Sequence, residues 1–204
     1  MARNRALNHV REVHWPPVLI EEELALHWLF THPAGVMATC KDMHIRTATI
    51  DDLLAMNDIY NHYVLHSTST YQTEPETLDA RRAWFSEHDE KHPVIVASDV
   101  AGAVLGWGSL SRFHARAAYA RTVENSIYVH HHHQRRGIGR ALLTELISRA
   151  CALDHHTIIA GIDADQPASL ALHAAGGFTQ VARLDEVGHK FGRWLHVIYM
   201  QKML

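Results

Sequence analysis

Cysteine is almost missing from this chain of 204 residues: there are two, Cys40 and Cys151, far apart in sequence. Neither belongs to a C-x-x-C pair or to a zinc-like spacing. That argues against a disulfide scaffold and reads as two reduced, intracellular thiols. No apolar run approaches the roughly 20 residues of a membrane-spanning helix. The first residues also lack the uninterrupted apolar segment of a secretory signal, so the expectation is a cytoplasmic protein. Neither sign of charge dominates: 19 Lys and Arg stand against 22 Asp and Glu, a net of -3. The balance gives no global attraction to nucleic acid or to a membrane surface. There is no internal repeat, and histidine makes up the only biased tract.

The chain holds 19 histidines, four of them consecutive at His130 to His133. Clustered imidazoles bind transition metals. Here no carboxylate or cysteine accompanies them at ligand spacing, and the run interrupts a strand–turn–helix unit. It reads as a solvated turn with incidental metal affinity and a weak response to pH. No metal cofactor is expected.

With 47% hydrophobic residues, the length suits one globular domain with an appendage. The appendage is residues 1–43, an extension read as either flexible or docked, in which the pattern of residues 21–30 (EEELALHWLF) predicts one amphipathic helix between Pro and Gly punctuation. A role in an oligomer interface is the alternative, and no chemistry falls there. From residue 44 onward the pattern is orderly. IRTATI (45–50) reads as a strand, and Asp51-Asp52 open a helix carrying Leu53, Leu54, Met56, Ile59 and Tyr60. A Ser/Thr-rich loop over 66–74 leads to a second helix over 77–88. Strands follow at 94–97, 103–111 and 122–129. After a turn comes a helix from about Gly137, then a strand at 157–162, a helix at 167–175, and two strands at 178–187 and 194–200 flanking GHKFGR. The order β-α-α-β-β-β-α-β-α-β-β, with one crossover in the middle, predicts an α+β fold with a mixed sheet and helices on both faces.

The stretch SIYVHHHHQRRGIGRALL, from Ser126, joins an apolar strand to a helix through a basic, Gly-bearing turn. Such a turn leaves backbone N–H groups unpaired at the positive end of a helix, and Arg135, Arg136 and Arg140 add charge. That combination binds phosphates. A Walker A loop is excluded, because the turn ends Gly-Arg-Ala. The dinucleotide fingerprint is excluded too, since Leu142 stands where its last small residue belongs. What remains is Q/R-x-x-G-x-G/A, from Gln134 to Gly139.

That motif resembles the pyrophosphate-binding motif of the GNAT N-acetyltransferases, and the order of elements over about 45–204 fits the same family. The strings IYNHYVLHSTSTYQTEPETLDARRAWF, TVENSIYVH, AGIDADQPASLALHAAGGF and VGHKFGRWLHVIYMQ resemble its phosphinothricin / L-methionine sulfone acetyltransferase branch. The resemblance implies a GNAT domain over 44–204, with a mostly antiparallel central sheet of about seven strands. It implies direct acetyl transfer from acetyl-CoA, a co-substrate, to the primary amine of a small amino-acid-like substrate, in a homodimer. By the same resemblance, Glu124 is the general base. Ile127, Tyr128 and Val129 offer backbone groups to the pantetheine arm, and Gln134, Arg135, Arg136, Gly137, Ile138, Gly139 and Arg140 hold the pyrophosphate.

Aligned to the family's L-Y-x-x-L-G-F string, LHAAGGF places His173 where a tyrosine commonly assists the leaving thiolate, and Gln166 where Asn is usual. Gln166, Ser169 and His173 share one helix face by their spacing. Tyr71 and Glu74 resemble one wall of the substrate pocket. Phe113, Arg116 and Tyr119 resemble the other, with Arg116 for the substrate carboxylate. His114 and the missing prolines depart from the family's F-R-P-R-P-A-Y. Arg81 and Arg82 read as solvated helix charges. Two alternatives stay open: the same transfer to a polyamine, an aminoglycoside or a protein N-terminus, and an acyl-CoA-binding module without catalysis.

Overall fold

The computed structural model of the protein describes residues 43–204. The extension assigned to 1–43, with its helix at 21–30 and Cys40, lies outside the described residues apart from Met43.

Seven strands form one sheet in the order β1-β2-β3-β4-β5-β7-β6. They are β1 (His44–Thr47), β2 (Val94–Ser98), β3 (Val104–Arg112), β4 (Thr122–Val129), β5 (Thr157–Asp163), β6 (Thr179–Lys190) and β7 (Arg193–Met203). Every neighbouring pair is antiparallel except β4 and β5. Four helices cover the sheet: α1 (Leu53–His66), α2 (Leu78–Ser86), α3 (Ile138–Ala152) and α4 (Pro167–Ala175).

Periodicity explains the layers. In α3, Ile138, Leu142, Leu146 and Ala150 recur every four residues and are buried against Ile95, Ala97, Leu110 and Val123 of the sheet. On the opposite face Leu53, Met56 and Ile59 of α1 pack with Val94, Val96 and Trp107. Each such side chain contributes about 1.5–3 kcal/mol by leaving water. The Trp107 indole N–H, which burial would otherwise orphan, donates to the carbonyl of Met56 at 3.1 Å.

The elements differ from the sequence reading mainly at their ends. The first strand stops at Thr47 rather than continuing to Ile50. Asp52 accepts from the Thr49 amide at 2.7 Å and from both Arg46 guanidinium nitrogens at 2.7 Å, which bends the chain into a 3-10 turn over Ile50–Asp52. The last two strands are longer than read. Lys190 still pairs with Arg193, because the reversal needs only Phe191 (φ 51) and Gly192 (φ 74), both left-handed as a two-residue hairpin requires. Arg81 is also corrected. It is 2% exposed, its guanidinium stands 4.5 Å from the ring centre of Tyr60 and 4.7 Å from that of Trp84, and it pairs with Glu76. Arg82 does face solvent, beside Asp79 at 2.8 Å.

Among the described residues no helix is long and apolar enough to cross a membrane. No group of three or more His, Cys, Asp or Glu among them is placed to hold a metal ion. The histidine run forms a 3-10 turn in which His131 stacks on His62 of α1 at 3.9 Å.

Candidate active site

The sheet opens at its middle. β4 and β5 pair only over Thr122, Val123 and Glu124, after which the strands part. On its other side β4 stays paired with β3 from Val123 to Val129, and just beyond it His130 N–H donates to Leu105 O at 2.9 Å. Alternation along an antiparallel ladder then gives Glu124, Ser126 and Tyr128 the backbone bonds to β3. The Asn125 C=O, both backbone groups of Ile127 and the Val129 N–H turn toward the gap, while Val129 O accepts from Tyr63. A cavity of about 390 Å³ fills that gap and runs to the start of α3.

The helix end is built for an anion. Gly137 caps α3 at φ 81, and Arg135 before it stands at φ 62, so the chain turns sharply into the helix. The Ala141 amide is bonded to Gly137 O, within the helix. The N–H groups of Ile138, Gly139 and Arg140 precede it and lie at the cavity wall, where the helix dipole favours negative charge. Gly139 lies on that wall, where a Cβ would meet only ordinary contacts, 3.4 Å from Leu172 and 3.7 Å from Val129. An open strand edge leading to a helix N-terminus, in a narrow apolar-walled cleft, fits an extended amide chain ending in a pyrophosphate, as in coenzyme A.

Of the residues singled out from sequence, Ile127, Tyr128, Val129, Gln134, Arg135, Gly137, Ile138, Gly139, Arg140, Gln166, Ser169 and His173 line this cavity. Tyr128 exchanges its backbone bonds with β3 and contributes its ring, packed on Tyr60 and Trp107. Arg136 points away, toward His133 at 3.4 Å. Glu124 sits at the fork, half-buried, with Oε1 3.4 Å from where a Cβ on Gly161 would be. Burial pushes its carboxyl above the usual carboxylate range. His173 is buried, its Nδ1 2.8 Å from Ser169 O and its Nε2 3.0 Å from the Asn125 amide nitrogen. Burial holds the imidazole below the ordinary histidine range.

The expected substrate walls divide. Tyr71 donates to Asp163 at 2.9 Å, and Asp163 lines the cavity. Glu74, Phe113, Arg116 and Tyr119 are exposed and do not line it. Phe113 and Tyr119 pack edge to face, and the Arg116 amide bonds to His114, which folds this loop on itself.

Three residues around the site are given no part in it by the sequence, which reads Lys190 only as structural or at a dimer interface. Tyr63 donates to Val129 O and accepts from Gln134 at 2.9 Å, tying α1 to both the strand edge and the phosphate turn. Asp163 accepts from Thr68, Tyr71 and the Asp165 amide. Lys190 is 4% exposed and donates to Ser67 O and Thr70 O at 2.7 and 2.8 Å, pinning the loop that carries Tyr71. For Asp163 a signal was available, since it ends the strand on the far side of a crossover, where parallel pairs open.

The model of the acetyltransferase (GNAT) family matches residues 56–178. An L-methionine sulfoximine/L-methionine sulfone acetyltransferase of Salmonella typhimurium is 38% identical over 162 residues, 79% of this chain and 95% of the relative. A phosphinothricin N-acetyltransferase of Streptomyces coelicolor is 38% identical over 166 residues, 80% of this chain and 97% of the relative. In three dimensions the chain resembles a GNAT superfamily phosphinothricin acetyltransferase from Sinorhizobium meliloti in complex with AcCoA. That likeness has a TM-score of 0.77 at 38% identity and covers 80% of this chain and 89% of the other. The parting of β4 from β5 beside a helix N-terminus, the matched span and these likenesses agree, and the chain belongs to the acetyltransferase (GNAT) family.

Proposed function

We propose that this chain is an acetyl-CoA-dependent N-acetyltransferase whose acceptor is the primary amine of a small amino-acid-like substrate of the methionine sulfone, methionine sulfoximine or phosphinothricin type. The observation that carries the reading is the parting of β4 from β5 directly after Glu124. It sets a half-buried carboxylate at the inner end of an open strand edge whose outer end is an anion site.

Each group then has a task. The open groups of Ile127 and the Val129 N–H extend the sheet onto the pantetheine arm, as an added strand would. The N–H groups at the start of α3, with Gln134, Arg135 and Arg140, hold the pyrophosphate. Acetyl-CoA supplies the thioester: the C–N bond forms as the C–S bond breaks, and one proton is released overall. Glu124 takes the proton of the arriving ammonium, and its raised proton affinity suits it to that work. His173 lies on the cavity wall to supply a proton to the departing sulfur. Tyr71, hydrogen-bonded to Asp163, is assigned to the acceptor side, together with Glu74, Phe113, Arg116 and Tyr119, with Arg116 for the carboxylate.

We place the enzyme in the cytoplasm as a homodimer, with its catalytic domain over 44–204. The dimer reading is supported by Val181, Val187, Phe191 and Trp194, large apolar side chains left exposed on the β6–β7 hairpin. Thiol release from acetyl-CoA across an amine panel tests the function. Release with methionine sulfone or phosphinothricin supports it. Release only with polyamines or aminoglycosides moves the acceptor class, and acetyl-CoA binding without release makes the protein a binding module.

A further inference from the structure

Asn125 follows Glu124 in β4, so its side chain points to the opposite face of the sheet, toward α4. It is 6% exposed and lines the cavity. Its amide nitrogen lies 3.0 Å from His173 Nε2. The other ring nitrogen, Nδ1, lies 2.8 Å from the carbonyl of Ser169, which can only accept. Nδ1 therefore carries a proton in every state. In the neutral ring Nε2 is a lone pair, and Asn125 must donate to it. The Asn125 carbonyl oxygen, Oδ1, is then buried without a partner.

A second proton on the ring inverts the demand. Nε2–H now needs an acceptor, and the amide turned over about its last torsion presents Oδ1 at the same place. A carboxamide offers a donor and an acceptor on one nearly symmetric shape. We propose that Asn125 is a positioning residue for His173: its amide turns over as Nε2 gains and loses a proton, so the ring keeps one position in both states.

This rests on the reading of the site as an acetyltransferase in which His173 serves the leaving sulfur. There, the amide turns its oxygen off Nε2–H as the sulfur takes that place, and the proton passes to the sulfur as the C–S bond breaks. The electron pair stays on Nε2, and the Asn125 N–H then fills the place of the lost proton. The ring recovers its proton from solvent. Phe178 of the segment after α4 packs edge-on against the imidazole at 5.1 Å and brings no charge. Tyr63 of α1, Arg135 of the turn, Arg140 of α3 and Asp163 of β5 are the ionisable groups that line the cavity with it.

The test follows the full-length protein by nitrogen-15 NMR, reading the His173 ring nitrogens and the Asn125 side-chain amide through a pH titration. The expected result is one shared midpoint for both signals. Asn125→Asp should raise the His173 proton affinity by roughly tenfold or more, since a carboxylate favours the charged ring. Asn125→Leu should lower it, because the cation then lacks an acceptor. The pH profile of kcat should move with the midpoint while the KM for acetyl-CoA holds. An Asn125 signal that stays flat through the His173 titration overturns the proposal, as do variants that leave the midpoint in place. The wild-type titration needs no variant to fold and no turnover. A shared midpoint in a protein that acetylates nothing would therefore sink the enzymatic reading and leave the pairing intact.

Discussion

At the scale of single residues, Glu124 meets two opposed demands. Its burial makes it a better base and a worse citizen of the fold. Glu124→Gln should lower turnover by about 10²–10⁴-fold, the range of positioned general bases. Acetyl-CoA binding should be preserved, and the deficit should shrink as pH rises and more amine arrives neutral. The same substitution should stabilise the protein at neutral pH. The sign follows from linkage: a carboxyl whose proton affinity is higher folded than unfolded favours the fold below its unfolded range and loses that contribution as pH rises through its folded one. Removing the ionised group lifts the penalty. A thermal melt at neutral pH in which the variant unfolds below the parent contradicts this, and so does parental turnover. Glu124 and His173 were singled out in the sequence because they stand in family-like strings. Asn125 was not, although it stands inside one of them. A string hides that neighbours in a strand face opposite ways, and only the packed α4 shows what Asn125 meets.

Among the elements, the turn into α3 was legible and the staple on the Ser/Thr loop was not. Gly residues between a strand and a helix announce a phosphate turn in sequence. A lysine reaching more than a hundred positions back along the chain announces nothing, and its burial depends on the β6–β7 hairpin running its full length to Lys190. The two glycines of the turn should differ in behaviour. At Gly137, φ 81 makes a branched residue strained by about 1–2 kcal/mol and sets its side chain against the anion site, so Gly137→Val should raise the KM for acetyl-CoA strongly. Gly139→Ala meets only ordinary contacts at 3.4 and 3.7 Å and should change that constant little. An unchanged constant in Gly137→Val would mean the turn acts only as a connector. Lys190→Met leaves the Ser67 and Thr70 carbonyls without their donor, a cost of about 1–3 kcal/mol. Denaturant unfolding should register it, and the KM for the amine should rise because Tyr71 loses its fixed loop. An unaltered amine KM alongside the stability loss would confine Lys190 to the fold.

For the molecule as a whole, the sheet order and its opening place the cofactor groove and the base on elements between β3 and α4. A chain beginning at Met43 should therefore keep its transfer activity, and Met43 itself is kept because it packs on the main core. A soluble truncated protein unable to bind acetyl-CoA would show that the preceding residues belong to the site. The architecture was read from sequence because period and turn residues fix elements locally. The parting of β4 and β5 was not, since it depends on where two distant strands stop pairing. The central claim is that this gap delivers an acetyl group to a small amino-acid amine. Its most direct test is the rate of thiol release from acetyl-CoA with methionine sulfone, methionine sulfoximine and phosphinothricin, set against polyamines, aminoglycosides and peptides. The account predicts amine-dependent release with at least one of the first three, lost in Glu124→Gln. Release confined to the other amines, or none at all from a protein that binds acetyl-CoA, would contradict it.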